Sequence, residues 1–191
     1  MRKLLAIVFL MTACAFAQKK PVDSSDYYIE LAQFNARINN YRNSLDYTQK
    51  AIDYAKKNKD VRAEASVSLA LANLYIELKK YNDAMEVLNR SIALFNTLKP
   101  SAEQAYAYYN LGLCYMEKEN YSQAETTFEK AKTIYQALKI PDAIELLNLQ
   151  KGILYRAKGK NQEAAYIFGL IISIPPGPGV PCPPPSSKSA I

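Results

Sequence analysis

Residues 105–131 read AYAYYNLGLCYMEKENYSQAETTFEKA, and the spacing within them decides the fold. Tyr108, Leu111, Gly112 and Tyr115 step by three, one and three, the interval that gathers side chains on one face of an α-helix. Ala124, Phe128 and Ala131 follow at four and three, a second helical stripe. Between them, Glu119-Asn120-Tyr121 is short and polar, as a turn joining two antiparallel helices requires. Ser101 with Gln104, and Ser122 with Glu125, have the spacing of capping boxes at the two helix starts.

The same columns recur when the stretch is slid along the chain by forty residues. Gly112 then falls on Ala32, Ala72 and Gly152, and Phe128 on Thr48, Leu88 and Phe168. Ala124 falls on Ser44, Ala84 and Ala164, and Tyr121 on Tyr41, Tyr81 and Asn161. One register holds through four hairpins without an insertion. The small column has a steric reason, because helices that pack about 8–10 Å apart need a residue with little side chain at the crossing. The pattern resembles the tetratricopeptide repeat, a helix-turn-helix unit with small residues, aromatics and alanines at such places. A period of forty exceeds the ~34 residues of the common repeat, which implies longer helices. The resemblance implies an all-α, right-handed superhelical solenoid of four helical hairpins, of the bacterial exported type. Its repeats are expected at about 25–60, 61–100, 101–140 and 141–174.

The two ends of the chain read differently from the repeats. Arg2 and Lys3 precede an apolar run from Leu4 to Ala13, and Ala15-Phe16-Ala17 follows. This is the layout of a secretory signal peptide over residues 1–17, cut after Ala17, and it implies a periplasmic or secreted protein. Leu10 to Cys14 also resembles a lipoprotein box, with Met11 where leucine usually stands, so acylation at Cys14 and a membrane anchor are the alternative. At the other end, residues 175–191 hold seven of the ten prolines and read as an extended or disordered tail. Composition shifts abruptly at Gly169-Leu170-Ile171-Ile172, which reads as a truncated or frame-shifted end. Self-association through this uncapped last repeat is expected. The first repeat, with Asn35, Ser44 and Thr48 at columns apolar or small elsewhere, reads as an end repeat with a polar outer face.

Composition narrows the chemistry. The chain has no histidine, no phosphate-binding glycine loop, no nucleophile elbow and no metal-ligand spacing, so the reading is a non-enzyme with neither cofactor nor metal. The net charge of +6 is mild and spread over helix surfaces such as Lys56, Lys79 and Lys130, unlike a nucleic-acid footprint. Cys114 reads as a buried free thiol inside a helix, with no structural disulfide expected.

What remains is a binding surface. With Leu111 and Gly112 facing inward, the opposite stripe of the third repeat is Tyr106, Tyr109, Asn110, Leu113 and Met116. The second repeat offers Ser66, Leu69, Asn73 and Ile76, and the fourth offers Leu146, Leu149, Ile153 and Arg156. The resemblance implies that these line a concave groove, which would be aromatic and aliphatic and suited to an apolar helix or extended peptide. Leu113 and Ile153 fit equally as packing against second helices. Chaperone-binding members of the family clamp a carboxylate with two asparagines and several basic residues. Asn73 and Asn110 match the asparagines, but the basic positions read Leu69, Leu146 and Gln150, so the clamp is excluded. Two functions fit: an extracytoplasmic scaffold that holds a partner protein or peptide, or the sensory segment of a membrane receptor kinase or transcriptional regulator.

Overall fold

A computed structural model describes residues 24–173 as helices joined by short turns; the leader, Cys14 and the proline-rich tail lie outside the described residues. The helices are α1 (Ser25–Arg37), α2 (Tyr41–Lys57), α3 (Val61–Glu77), α4 (Tyr81–Phe95), α5 (Ala102–Glu117), α6 (Tyr121–Ala137), α7 (Pro141–Ala157) and α8 (Asn161–Ser173). They pair as α1–α2, α3–α4, α5–α6 and α7–α8, and each second helix packs on the first helix of the next pair. The first helices also touch one another, α1 on α3 and α3 on α5. The result is an all-α solenoid of hairpins whose first helices share one side.

One turn recurs at intervals of twenty residues. Asn39, Lys59, Lys79, Glu119, Lys139 and Gly159 all have positive φ, between 57° and 74°. The next residue donates its N–H back across the helix end: Asn40 to Asn35 O at 2.8 Å, Lys80 to Tyr75 O at 2.8 Å, Asn120 to Tyr115 O at 2.8 Å. This is a Schellman closure, which satisfies carbonyls the helix leaves orphaned. Holding a non-glycine residue left-handed costs about 1–2 kcal/mol, so five such residues show how strongly the packing imposes the turn. The series breaks at Lys99, and the cause is Pro100, which stands where the donor should be and has no N–H. There α4 stops at Phe95, and the chain tightens through Thr97 N–H to Leu94 O and Leu98 N–H to Phe95 O.

In three of the turns the residue that closes one helix also caps the next. Asn40, Asp60 and Asn120 accept from the N–H of Asn43, Ala63 and Gln123, at 3.4, 2.9 and 3.4 Å. Ser24 and Ser101 cap α1 and α5 from extended backbone, at 3.1 and 3.2 Å. Ile140 has no capping side chain, and Pro141 at the first turn removes one orphan donor instead. Two capping details differ from the sequence expectation. Ser122 lies inside α6 because Asn120 already supplies the cap, and Glu125 reaches across to α7. Gln104 donates to Asn96 Oδ1 at 2.8 Å, so Ser101 and Gln104 form only half of a capping box.

Inside each hairpin a small residue faces a larger one sixteen positions on. A Cβ at Gly112 would lie 2.5 Å from Phe128 Cε1, and one at Gly152 would lie 2.5 Å from Phe168 Cε1. Where the larger partner is Leu88 or Thr48, the small residue is Ala72 or Ala32. The sizes compensate where glycine meets phenylalanine and alanine meets leucine, whereas Ala32 meets only the shorter Thr48. Around these pairs run the core clusters, one centred on Leu88, Ile92, Phe95 and Leu111, the next on Phe128, Tyr135, Leu147 and Leu154.

The three polar residues that mark the first repeat do not lie on its outer face. Asn35, Ser44 and Thr48 are buried, and each donates to a helix carbonyl, Leu31 O, Ala32 O and Ser44 O, at 2.8 Å. Short polar side chains can be buried here because backbone acceptors lie within reach. Phe34 and Ile38 stand exposed there, 60% and 56% accessible, among Asp26, Glu30, Gln33 and Arg37, and Phe34 occupies the column of the buried Leu74, Cys114 and Leu154. In the later repeats that column seats on the preceding hairpin.

Two measurements check this packing. Gly112→Ala gains about 1 kcal/mol of helix propensity but forces the Phe128 ring to move, an overpacking cost of about 1–3 kcal/mol, so the melting temperature should fall. In a Phe128→Leu background, which recreates the Ala72–Leu88 pairing, the same change should raise it; a fall of equal size in both backgrounds would reject the steric account. Burial, with Glu117 adding to it, pushes the Cys114 thiol up to about 11. In a Cys14→Ser/Cys182→Ser chain, the native protein should therefore resist a thiol reagent at about pH 8 and react only on unfolding.

Candidate functional site: the shared face of the first helices

The side shared by α1, α3, α5 and α7 carries two different halves. In the C-terminal half, Tyr106, Leu146 and Leu149 are 42%, 43% and 38% accessible, a large share for apolar side chains. Tyr106 and Leu146 occupy one column of the repeat, Tyr109 and Leu149 the neighbouring one, so the four lie side by side on α5 and α7. The Tyr106 and Tyr109 rings stack with centroids 6.0 Å apart and planes 17° from parallel. Tyr109 leans in turn on the core ring of Phe128, also at 6.0 Å, and its hydroxyl accepts from Gln150 Nε2 at 3.4 Å. Burial, reinforced by Tyr106, pushes the Tyr109 phenol above its ordinary range, and burial does the same to Tyr135. Both stay neutral near physiological pH, so this wall is apolar with hydroxyl edges. Its aromatic side chains are held rigid from beneath.

The other expected groove residues divide. Leu113, Met116 and Ile76 are half-buried, packed on the core clusters, and Ile153 is half-buried on α7. Arg156 is exposed at the end of α7. Leu69 does not belong to an accessible surface: at 6% exposure it sits in the core with Ala65, Leu88, Ala107 and Leu111. Asn110, 3% exposed, is equally withdrawn, and it donates Nδ2 to Asn73 Oδ1 at 2.7 Å, joining α5 to α3. The hydrogen bond explains how a polar amide can be buried at that crossing.

In the N-terminal half, α1, α2 and α3 line an open cavity of about 210 Å3 that sequence reading missed. It is lined by residues including Ala32, Ala36, Thr48, Ala70, Asn73 and Glu77. Its signal lay in the columns, where Thr48 and Ala36 are shorter than every counterpart in the later repeats. On a different face, Tyr155 and Lys158 of the α7 end both donate to Glu125, at 2.8 and 2.9 Å, and Lys151 donates to Glu129 at 2.8 Å. Burial of Glu125 opposes its ionisation, but these donors outweigh it and its carboxyl is held below the usual range. That cluster ties α6 to α7. Among the described residues no group of side chains could hold a metal ion, and no helix is long and apolar enough to cross a membrane.

Comparison with known proteins gives the same architecture. Profiles described as tetratricopeptide repeat match residues 103–174 and 65–97, together more than half of the chain. The 26S proteasome regulatory subunit RPN6 of Saccharomyces cerevisiae is 23% identical over 154 residues, covering 80% of this chain and 35% of that protein. Response regulator aspartate phosphatase E of Bacillus subtilis is 22% identical over 151 residues, 77% of this chain and 40% of that protein. The chain thus spans well under half the length of either relative. Among solved structures, the Rap conjugation gene regulator of plasmid pLS20, in complex with a Phr peptide, superimposes with a TM-score of 0.64 at 14% identity. It covers 77% of this chain and 41% of that one, a likeness of fold.

The division between wall and core is directly measurable. Leu69→Ala should cost about 2–5 kcal/mol of stability, as a buried truncation does, whereas Leu149→Ala should cost less than about 1 kcal/mol. Chemical denaturation of the two variants checks the assignment, and equal losses would contradict it.

Proposed function

Because the chain belongs to the tetratricopeptide repeat family, we propose that it is a non-catalytic scaffold that holds a peptide or helix of another protein along the shared face of its first helices. One observation carries this: Tyr106, Leu146 and Leu149 stand exposed together on α5 and α7, beside Tyr109, which is pinned by Phe128 and Gln150. Exposed apolar side chains on a rigid base lose little entropy when covered, which is what an interaction surface needs. The relative that is solved with a peptide supports a peptide as the class of ligand. A named phosphatase among the relatives does not extend to catalysis in our reading, since this chain has no histidine and its sequence holds no nucleophile-elbow or phosphate-loop motif. The proposal includes an extracytoplasmic location, resting on Arg2, Lys3, the apolar run and Ala15-Phe16-Ala17, with anchoring through Cys14 as the variant form.

A second reading, the repeat segment of a larger sensory receptor or regulator, is favoured by one fact: the match takes in only 35% and 40% of the two relatives' own lengths. Both readings use the same surface. Affinity capture from an envelope extract, run beside Tyr106→Ala/Leu149→Ala, tests it. An aromatic anchor is worth about 2 kcal/mol or more, so a specific partner should lose about thirtyfold in affinity. Retention of every captured protein by the variant would overturn the assignment of the surface.

A further inference from the structure

The cavity between α1 and α3 exists because of two residues of the first repeat. Thr48 stands in the column of Leu88, Phe128 and Phe168, and Ala36 in the column of Ile76, Met116 and Arg156. One level further on, between α3 and α5, Leu88 is fully buried and Ile76 packs against the same cluster. Shortening both side chains opens about 210 Å3. An apolar cavity of about 150 Å3 admits benzene, so the space here is enough for a leucine or phenylalanine side chain.

Its lining chooses among occupants. Thr48 Oγ1 donates to Ser44 O and Ser44 Oγ donates to Ala32 O, so the hydroxyls of the floor are spent within the helices. The floor then offers methyl and aliphatic surface from Ala32, Ala36, Ala70 and Leu74. Glu77 is the one ionised residue of the lining and lies exposed. Asn73 also lines the cavity, and since Asn110 occupies its Oδ1, its Nδ2 is the group left to meet an acceptor from outside. An apolar floor, one carboxylate and the amides of Asn73 and Gln33 together describe a peptide subsite with a sign of charge.

We infer that this cavity receives a single leucine or phenylalanine side chain of an extended partner peptide, with a lysine or arginine next to it meeting Glu77 and a peptide carbonyl accepting from Asn73 Nδ2. The inference rests on the peptide-binding reading above and adds a specificity to it. Asn73 is the link, since it lines the cavity and is bonded to Asn110 of the neighbouring first helix.

The test uses the full chain labelled with 15N and three capped peptides, AAFKAA, AAAKAA and AAFEAA, at millimolar concentration. AAFKAA should shift the amides of Ala36, Ala70 and Asn73 and bind more tightly than the other two. Thr48→Leu/Ala36→Ile, which installs the side chains of the second repeat, should weaken AAFKAA about tenfold or more, the loss of one buried apolar side chain. Glu77→Gln, an exposed change that leaves folding intact, should abolish the preference for AAFKAA over AAFEAA. Binding that is indifferent to both variants overturns the inference. Shifts confined to Tyr106, Leu146 and Leu149 would overturn the cavity while leaving the groove reading in place, and no shifts on either half would overturn both.

Discussion

Everything in this solenoid depends on how closely two helices of a hairpin can approach. The contact is between one small residue and one larger residue sixteen positions later, and their sizes are matched in the second, third and fourth repeats. Gly112 and Gly152 leave no room for even a Cβ against Phe128 and Phe168, while Ala72 meets the shorter Leu88. Interiors this dense transmit a mismatch, so a repeat that gains volume on one side must lose it on the other. Where the first repeat loses volume on both sides of the groove, at Thr48 and Ala36, the structure does not collapse to fill the space and a cavity results.

The backbone obeys a shorter period than the side chains. Left-handed residues recur every twenty positions, each followed by an N–H that closes the helix just ended and, in half of these turns, a side chain that caps the helix about to begin. Intervals between hairpins are therefore built like the turns within them, which lets successive helices stack in one register. Pro100 is informative as the exception. Lacking the N–H, it forces α4 to end early, and Ser101 must supply from extended backbone the cap that Asn40, Asp60 and Asn120 supply elsewhere.

These two constraints position the surface. Regular turns bring the first helices to one side, and matched pairs let the hairpins behind them close. Along those columns the chemistry changes from small and acidic between α1 and α3, through the Asn73–Asn110 amide pair, to exposed aromatic and aliphatic side chains on α5 and α7. A ligand lying across all of it would meet a pocket, a hydrogen-bonding centre and a hydrophobic wall in that order.

Much of this was legible in the residues alone. Periodicity, the forty-residue register and the small–large columns sufficed for the helices, their hairpin pairing and the family, because those features depend on local spacing and on contacts within one repeat. Burial of individual groove residues was not legible. Leu69 and Tyr109 occupy the same column, yet one is sealed in the core and the other half exposed, because cover comes from neighbouring repeats whose side chains differ. Polar residues misled for a related reason: Asn35, Ser44 and Thr48 look like surface until a helix carbonyl is found within 2.8 Å of each. Spacing along the chain determined which residues could share a face, and only the packing of one repeat on the next decided which of them water, or a partner, can reach.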